Sequence, residues 1–137
     1  MSSSPSVPND VRPTARRVVL VDDDDVLREL LDTALTRSGF EPQVFASGRE
    51  LLQHLESVAS ESQMPEAVVV DYFMPDLTGL DVLRELTAAG RNIPTIVMSG
   101  SEEHDTVLLA AGARAVLHKP FRVVDLCDVV TQAINDS

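Results

Sequence analysis

The chain has 137 residues, about one domain's worth, and that length suffices to bury a self-sufficient apolar core. Its 22 acidic side chains against 11 basic ones give a net charge of −11, a field that repels phosphate backbones and argues against direct DNA or RNA binding. The single cysteine, Cys127, cannot form an internal disulfide, no secretory leader opens the chain, and no apolar run approaches the ~20 residues of a membrane span, so a soluble cytoplasmic protein is expected.

Residues 1–17 are rich in Ser, Pro, Asn and Arg without an apolar period and are expected to form a disordered arm, with one domain over 18–137. From Val18 onward, short β-branched runs alternate with amphipathic stretches, the pattern of βαβ units around a parallel sheet covered on both faces. A first strand is predicted over 18–21. The stripe Leu27, Leu30, Leu31, Ala34 and Leu35 then marks a core-facing helix that Gly39 ends. A second strand over 43–45 precedes a helix opened by a capping box of Ser47 and Glu50 and carried by Leu51, Leu52, Leu55 and Val58. Beyond a polar connector over 57–65 come a third strand over 67–70 and a helix marked by Leu80, Val82, Leu83 and Leu86, closed by Gly90. A fourth strand over 95–98, a short apolar helix over 107–111, a fifth strand over 115–118 and a helix through Leu126, Val129, Val130 and Ala133 complete an α/β sandwich.

In open parallel sheets, ligands bind beyond the carboxyl ends of the strands, where the strand order reverses. Asp22 and Asp23 follow strand one, Asp71 follows strand three, Ser99 strand four and Lys119 strand five. If strands one and three are neighbours, their ends lie about 5 Å apart and gather three carboxylates around one small ion. Three carboxylates that close cannot all stay ionised without a counter-charge. Magnesium suits the position, as a hard octahedral ion that keeps several waters and takes one or two carboxylates plus phosphate oxygens. Lys119 adds a compact point charge and Ser99 a neutral donor, so the set would surround a phosphoryl group on Asp71.

The segments VVLVDDDD (18–25), VVVDYFMPDLTGLDVL (68–83), IVMSG (96–100) and HKPF (118–121), in this order and spacing, resemble the receiver domain of two-component response regulators, the chemotaxis-regulator-like family. The resemblance implies a flavodoxin-like three-layer α/β sandwich, with a five-stranded parallel sheet in the order 2-1-3-4-5 and five helices. It implies phosphorylation of Asp71 by a histidine kinase or phosphotransfer protein. Magnesium would be held by Asp22, Asp23, Asp71 and the backbone carbonyl of Phe73, with Asp23 as the direct acidic ligand. Lys119 and Ser99 would act as catalytic groups, and the Lys119 to Pro120 bond would be cis. Ser99 and position 116 form the switch in this family. An aromatic side chain is common at the latter, where this chain has Val116. The domain would assist its own phosphorylation without being an enzyme in the ordinary sense. Its output would be a reshaped face of the fourth helix, fifth strand and fifth helix, offered to a downstream effector or a second copy, with no nucleic acid or membrane involved.

Plainer roles are expected for the neighbours. Asp24 and Asp25 complement the dipole at the start of the first helix. Pro75, Asp76 and Gly79 shape the turn into the third. His54, His104 and His118 lack ligand spacing and read as surface histidines, and Cys127 as a free thiol. Two other readings use the same residues. One is a small magnesium-dependent phosphohydrolase with an aspartyl nucleophile, suggested by the pair Asp22 and Asp24, although no segment remains to build its cap. The other is an unphosphorylated interaction module, suggested by Val116 and Phe73. The chain ends soon after the fifth helix, so no effector domain is expected, whether the receiver stands alone or belongs to a longer regulator or hybrid kinase.

Overall fold

The structure is a computed structural model that describes residues 16–58 and 63–136. Strands and helices alternate along it: β1 (Arg16–Val21), α1 (Asp25–Arg37), β2 (Phe40–Phe45), α2 (Gly48–Ser57), β3 (Ala67–Asp71), α3 (Gly79–Ala88), β4 (Thr95–Ser99), a single 3-10 turn (Glu102–His104), α4 (Asp105–Ala110), β5 (Ala115–His118) and α5 (Val123–Asn135). Every strand pair is parallel, and the sheet order is β2-β1-β3-β4-β5. This is the flavodoxin-like order that the resemblance implied. Its direction reverses beside β1 and β3, which puts the ends of those two strands at the crevice where such sheets bind ligands.

The continuous apolar runs of the strands are explained by burial on both faces. Val19, Val21, Val68, Val70 and Val97 pack under α2, α3 and α4, against Leu51, Leu55, Val82, Leu83, Leu86 and Leu108. Their neighbours Val18, Leu20, Val69, Ile96 and Met98 point the other way, against Leu31 and Leu35 of α1 and Leu126 and Val130 of α5. Burying each such side chain contributes about 1.5–3 kcal/mol. A one-residue slip of any central strand would exchange the two sets.

Several boundaries differ from the sequence-based expectation, and β3 and β4 each run one residue further, through Asp71 and Ser99. β1 starts at Arg16, two residues inside the predicted arm, because Arg16 and Arg17 pair with Phe40 and Glu41; residues 1–15 lie outside the described part. β2 starts at Phe40 and runs through Pro42, which obscures it in the sequence. A proline is tolerated there because β2 is an edge strand with one side free of ladder bonds. α4 starts at Asp105, after the 3-10 turn, and ends at Ala110.

Helix starts follow the chemistry of orphan amides, with one correction. At α2 only the hydroxyl half of the expected box forms, Ser47 accepting from the Glu50 amide at 3.2 Å. The two-way box forms at α3 instead, where Asp81 N donates to Thr78 Oγ1 at 3.1 Å and Thr78 N to Asp81 Oδ2 at 3.0 Å. Gly39 and Gly90 follow the ends of α1 and α3 with positive φ, the left-handed conformation that stops a helix at little cost for glycine.

Candidate functional site

At the carboxyl end of β1 the aspartate run divides its labour. The carboxylate of Asp24 accepts from the amides of Val26 (3.0 Å) and Leu27 (3.1 Å) and caps α1. Asp25 opens that helix and pairs with Arg28. Arg28 in turn donates to the carbonyl of Asp22 at 2.7 Å, tying the helix to the strand end. Asp22 is fully buried. Its Oδ1 accepts from Asp24 N at 3.0 Å, whereas its Oδ2 is buried with no hydrogen-bond partner.

Asp71 is the last residue of β3 and is also buried. The ladder continues one residue beyond it, with Tyr72 N donating to Met98 O at 2.8 Å. Tyr72 O then accepts from Gly79 N at 2.9 Å, so the start of α3 is pulled against the acceptor strand. Glycine suits this close approach, since any side chain there would be tight against backbone. A Cβ on Gly79 would lie 3.1 Å from Tyr72 Cα and from Val97 Cγ1, and 3.2 Å from Asp71 O.

One carboxylate oxygen from each of Asp22, Asp23 and Asp71 falls within 4.8 Å of the others. Lys119 reaches across from the end of β5, its Nζ 2.8 Å from Asp71 Oδ1, after a Lys119-Pro120 bond that is cis. Burial holds the Asp22 carboxyl above its ordinary range. The Asp24 amide and Lys119 offset this in part, while the charges of Asp71 and Asp23 add to it. Burial likewise raises Asp71, more than the hydrogen bond and charge of Lys119 lower it. The donor set is all oxygen, and one buried oxygen lacks any partner. A hard divalent cation such as magnesium fits that chemistry, whereas a soft, thiolate-seeking metal does not.

Of the remaining predicted residues, Ser99 lies buried at the end of β4. Its hydroxyl donates to Ser101 O at 2.8 Å and accepts from Ser101 N at 3.2 Å, so here it serves the loop after β4 instead of Asp71. Val116 is half-buried opposite Val97 and packs into the core beneath α4. Phe73 is 74% exposed, its ring edge-on to Tyr72 with centroids 5.3 Å apart.

Sequence reasoning missed several contacts. His118 Nε2 bonds both carboxylate oxygens of Asp105, at 3.0 and 2.9 Å. His104 stacks on Tyr72 with centroids 4.3 Å apart, and His54 lies tilted on Phe45 at 5.2 Å. Asp76 does more than shape a turn, because its Oδ2 accepts from Arg49 N at 2.9 Å and caps α2 from the loop between β3 and α3. Burial pushes the Asp76 carboxyl up, but the amides of Arg49, Leu77, Asp76 and Gly48 outweigh it and hold the group below its ordinary range. Nothing local in the sequence marks these partners. No helix among the described residues is long and apolar enough to cross a membrane.

Comparison with known proteins shows what the chain as a whole is similar to. The family model described as the response regulator receiver domain matches residues 18–131. Response regulator MprA of Mycolicibacterium vanbaalenii is 38% identical over 112 residues, covering 80% of this chain and 46% of that protein. The alkaline phosphatase synthesis transcriptional regulatory protein SphR of Synechococcus elongatus is 34% identical over 132 residues, covering 92% and 51% respectively. The chain thus spans about half the length of the curated relatives it matches. Among solved structures, the receiver domain of the Francisella response regulator 1452 superposes with a TM-score of 0.80 at 26% identity, over 88% of this chain and 98% of that one. The response regulator TrrA of Thermotoga maritima, in complex with Mg²⁺-BeF, superposes with a TM-score of 0.75 at 25% identity, over 86% and 98%.

Proposed function

The chain belongs to the response-regulator receiver domain family, and we propose that it accepts a phosphoryl group on Asp71 from the phosphohistidine of a histidine kinase or phosphotransfer protein. The observation that carries this reading is the pairing of a buried Asp71 carboxylate with Lys119 at 2.8 Å, beside an Asp22 oxygen that has no partner.

In the transfer, an Asp71 oxygen attacks phosphorus, the N–P bond of the donor breaks, and the imidazole nitrogen leaves with the electron pair. Little covalent chemistry is needed from the protein beyond positioning and charge. Lys119, already against the nucleophile, neutralises negative charge that grows on the phosphoryl oxygens. Asp22, Asp23, Asp71 and the backbone carbonyl of Phe73 are the groups that would hold magnesium, which supplies Lewis-acid stabilisation of those same oxygens. The Ser99 hydroxyl would leave Ser101 and donate to a phosphoryl oxygen, drawing the loop after β4 toward the site.

That movement would reach α4 and the face it forms with β5 and α5. Val107 and Leu109 of α4 are 45% and 52% exposed, apolar material for an effector or a second copy. A small acyl-phosphate donor with magnesium should label the protein, and Asp71→Asn should abolish the label. Undiminished label in the variant would sink the assignment. Steady multiple turnover of a phosphomonoester would point to a phosphohydrolase, and no magnesium-dependent label at all to an interaction module.

A further inference from the structure

Two consecutive residues fasten the start of α4 to both sides of the site. The His104 ring ends the 3-10 turn and stacks on Tyr72, the residue after Asp71, with centroids 4.3 Å apart and planes 11° from parallel. Asp105 opens α4 and takes the Nε2 of His118, the residue before Lys119, at 3.0 and 2.9 Å. The Ser99 hydroxyl is engaged in the same segment, on Ser101 O. Each group expected to move on phosphorylation therefore adjoins, or directly makes, a contact on residues 101–105.

α4 depends on such contacts more than the other helices do. It has 6 residues, buries only Leu108, and its cap residue His104 makes no side-chain cap bond. A helix that short has little stability of its own, so its placement is set by what holds it. Val116, at the position where an aromatic switch would stand, is packed into the core and cannot supply that link.

We propose that the His104–Tyr72 stack and the Asp105–His118 bond form a two-point clasp that holds α4 in its unphosphorylated position and opens when Asp71 is modified. This rests on the reading of Asp71 as the phosphoryl acceptor. A phosphoryl group moves the anionic oxygens outward from the Asp71 carboxylate. Lys119 follows them, and His118 is carried along the same backbone. Ser99 turns away from Ser101 and frees the loop on the other side. The two halves of the clasp then shift against each other, and a hydrogen bond or a stacked pair is weakened by displacements of about 1 Å.

Linkage turns this into a measurable sign. A contact that favours the unphosphorylated arrangement opposes any ligand that needs the other one, so its removal tightens that ligand by the contact's own free energy. For a partly exposed hydrogen bond or a stacked aromatic pair, that corresponds to roughly two- to five-fold in affinity.

The test is beryllofluoride, a phosphoryl mimic on carboxylates, titrated in saturating magnesium into wild type, His118→Ala, His104→Ala and His118→Gln, with fluorine NMR reporting occupancy. Both alanine variants should bind about two- to five-fold more tightly than wild type. Hydrogen exchange of the α4 amides in the free protein should quicken in both. Glutamine, whose amide nitrogen stands near the place of Nε2, should restore wild-type affinity. A merely damaged fold would bind more weakly, so tighter binding is not a generic effect. Equal or weaker binding by the alanine variants, with normal binding by wild type, overturns the clasp and leaves the acceptor reading intact. Failure of wild type to bind overturns the acceptor reading, and the clasp with it.

Discussion

At the end of β1 a single oxygen sets the character of the site. Asp22 Oδ2 is buried with nothing to accept from, and a buried acceptor left in that state costs about 1–3 kcal/mol, more when it is charged. Asp22→Asn keeps the bond to the Asp24 amide and removes the charge. The magnesium-free variant is expected to be more stable than wild type by about 1 kcal/mol. Magnesium is expected to stabilise wild type by binding the folded state, and it should not raise the melting temperature of the variant. Thermal melts of both proteins with and without magnesium measure both effects, and a variant that melts lower without the metal would refute the account. The carboxylates were legible in the sequence because they are the first polar residues after apolar strands. The orientation of Ser99 was not. Its hydroxyl chooses between Ser101 and the site, and that choice depends on the loop around it.

Helix starts carry the next level of organisation, and the start of α3 bears on Asp71. A Gly79→Ala side chain would press on Tyr72 Cα and Asp71 O, backbone atoms that cannot turn aside. The expected cost is about 1–3 kcal/mol, read from urea denaturation, together with slower labelling of Asp71 as its strand is displaced. Asp76 caps α2 across 27 residues of sequence. Asp76→Ala should cost about 0.5–2 kcal/mol at neutral pH. The pH dependence has a definite sign. The Asp76 carboxyl lies lower in the folded protein than in the unfolded chain, so its stabilisation is present above the unfolded value and is lost as pH falls through the folded one. Wild type and variant should therefore converge in stability under acid, whereas a gap that stays constant would mean that the charge is not involved. Local helix-start signals were read at Ser47 and at Asp24, whereas the box of Thr78 and Asp81 went unread, and a cap donated from another loop leaves no trace near the helix it serves.

Across the whole molecule, a net charge of −11 works against compaction. Monovalent salt should raise the melting temperature modestly, because at about 0.1 M the screening length is about 10 Å. Magnesium at the same ionic strength should raise it further by occupying a site of three carboxylates. Equal shifts in the two salts at matched ionic strength would mean that no such site binds. The alternation of strands and helices, the two-sided burial of the sheet and the placement of Asp22, Asp23, Asp71 and Lys119 at strand ends were determined by the sequence alone, since periodicity and capping act over a few neighbouring residues. The strand order was legible only through the family resemblance. The unpartnered oxygen of Asp22, the cap from Asp76, the turned hydroxyl of Ser99 and the histidine contacts on α4 were decided by the tertiary structure. Each depends on which segments packing brings side by side, and no local preference encodes that.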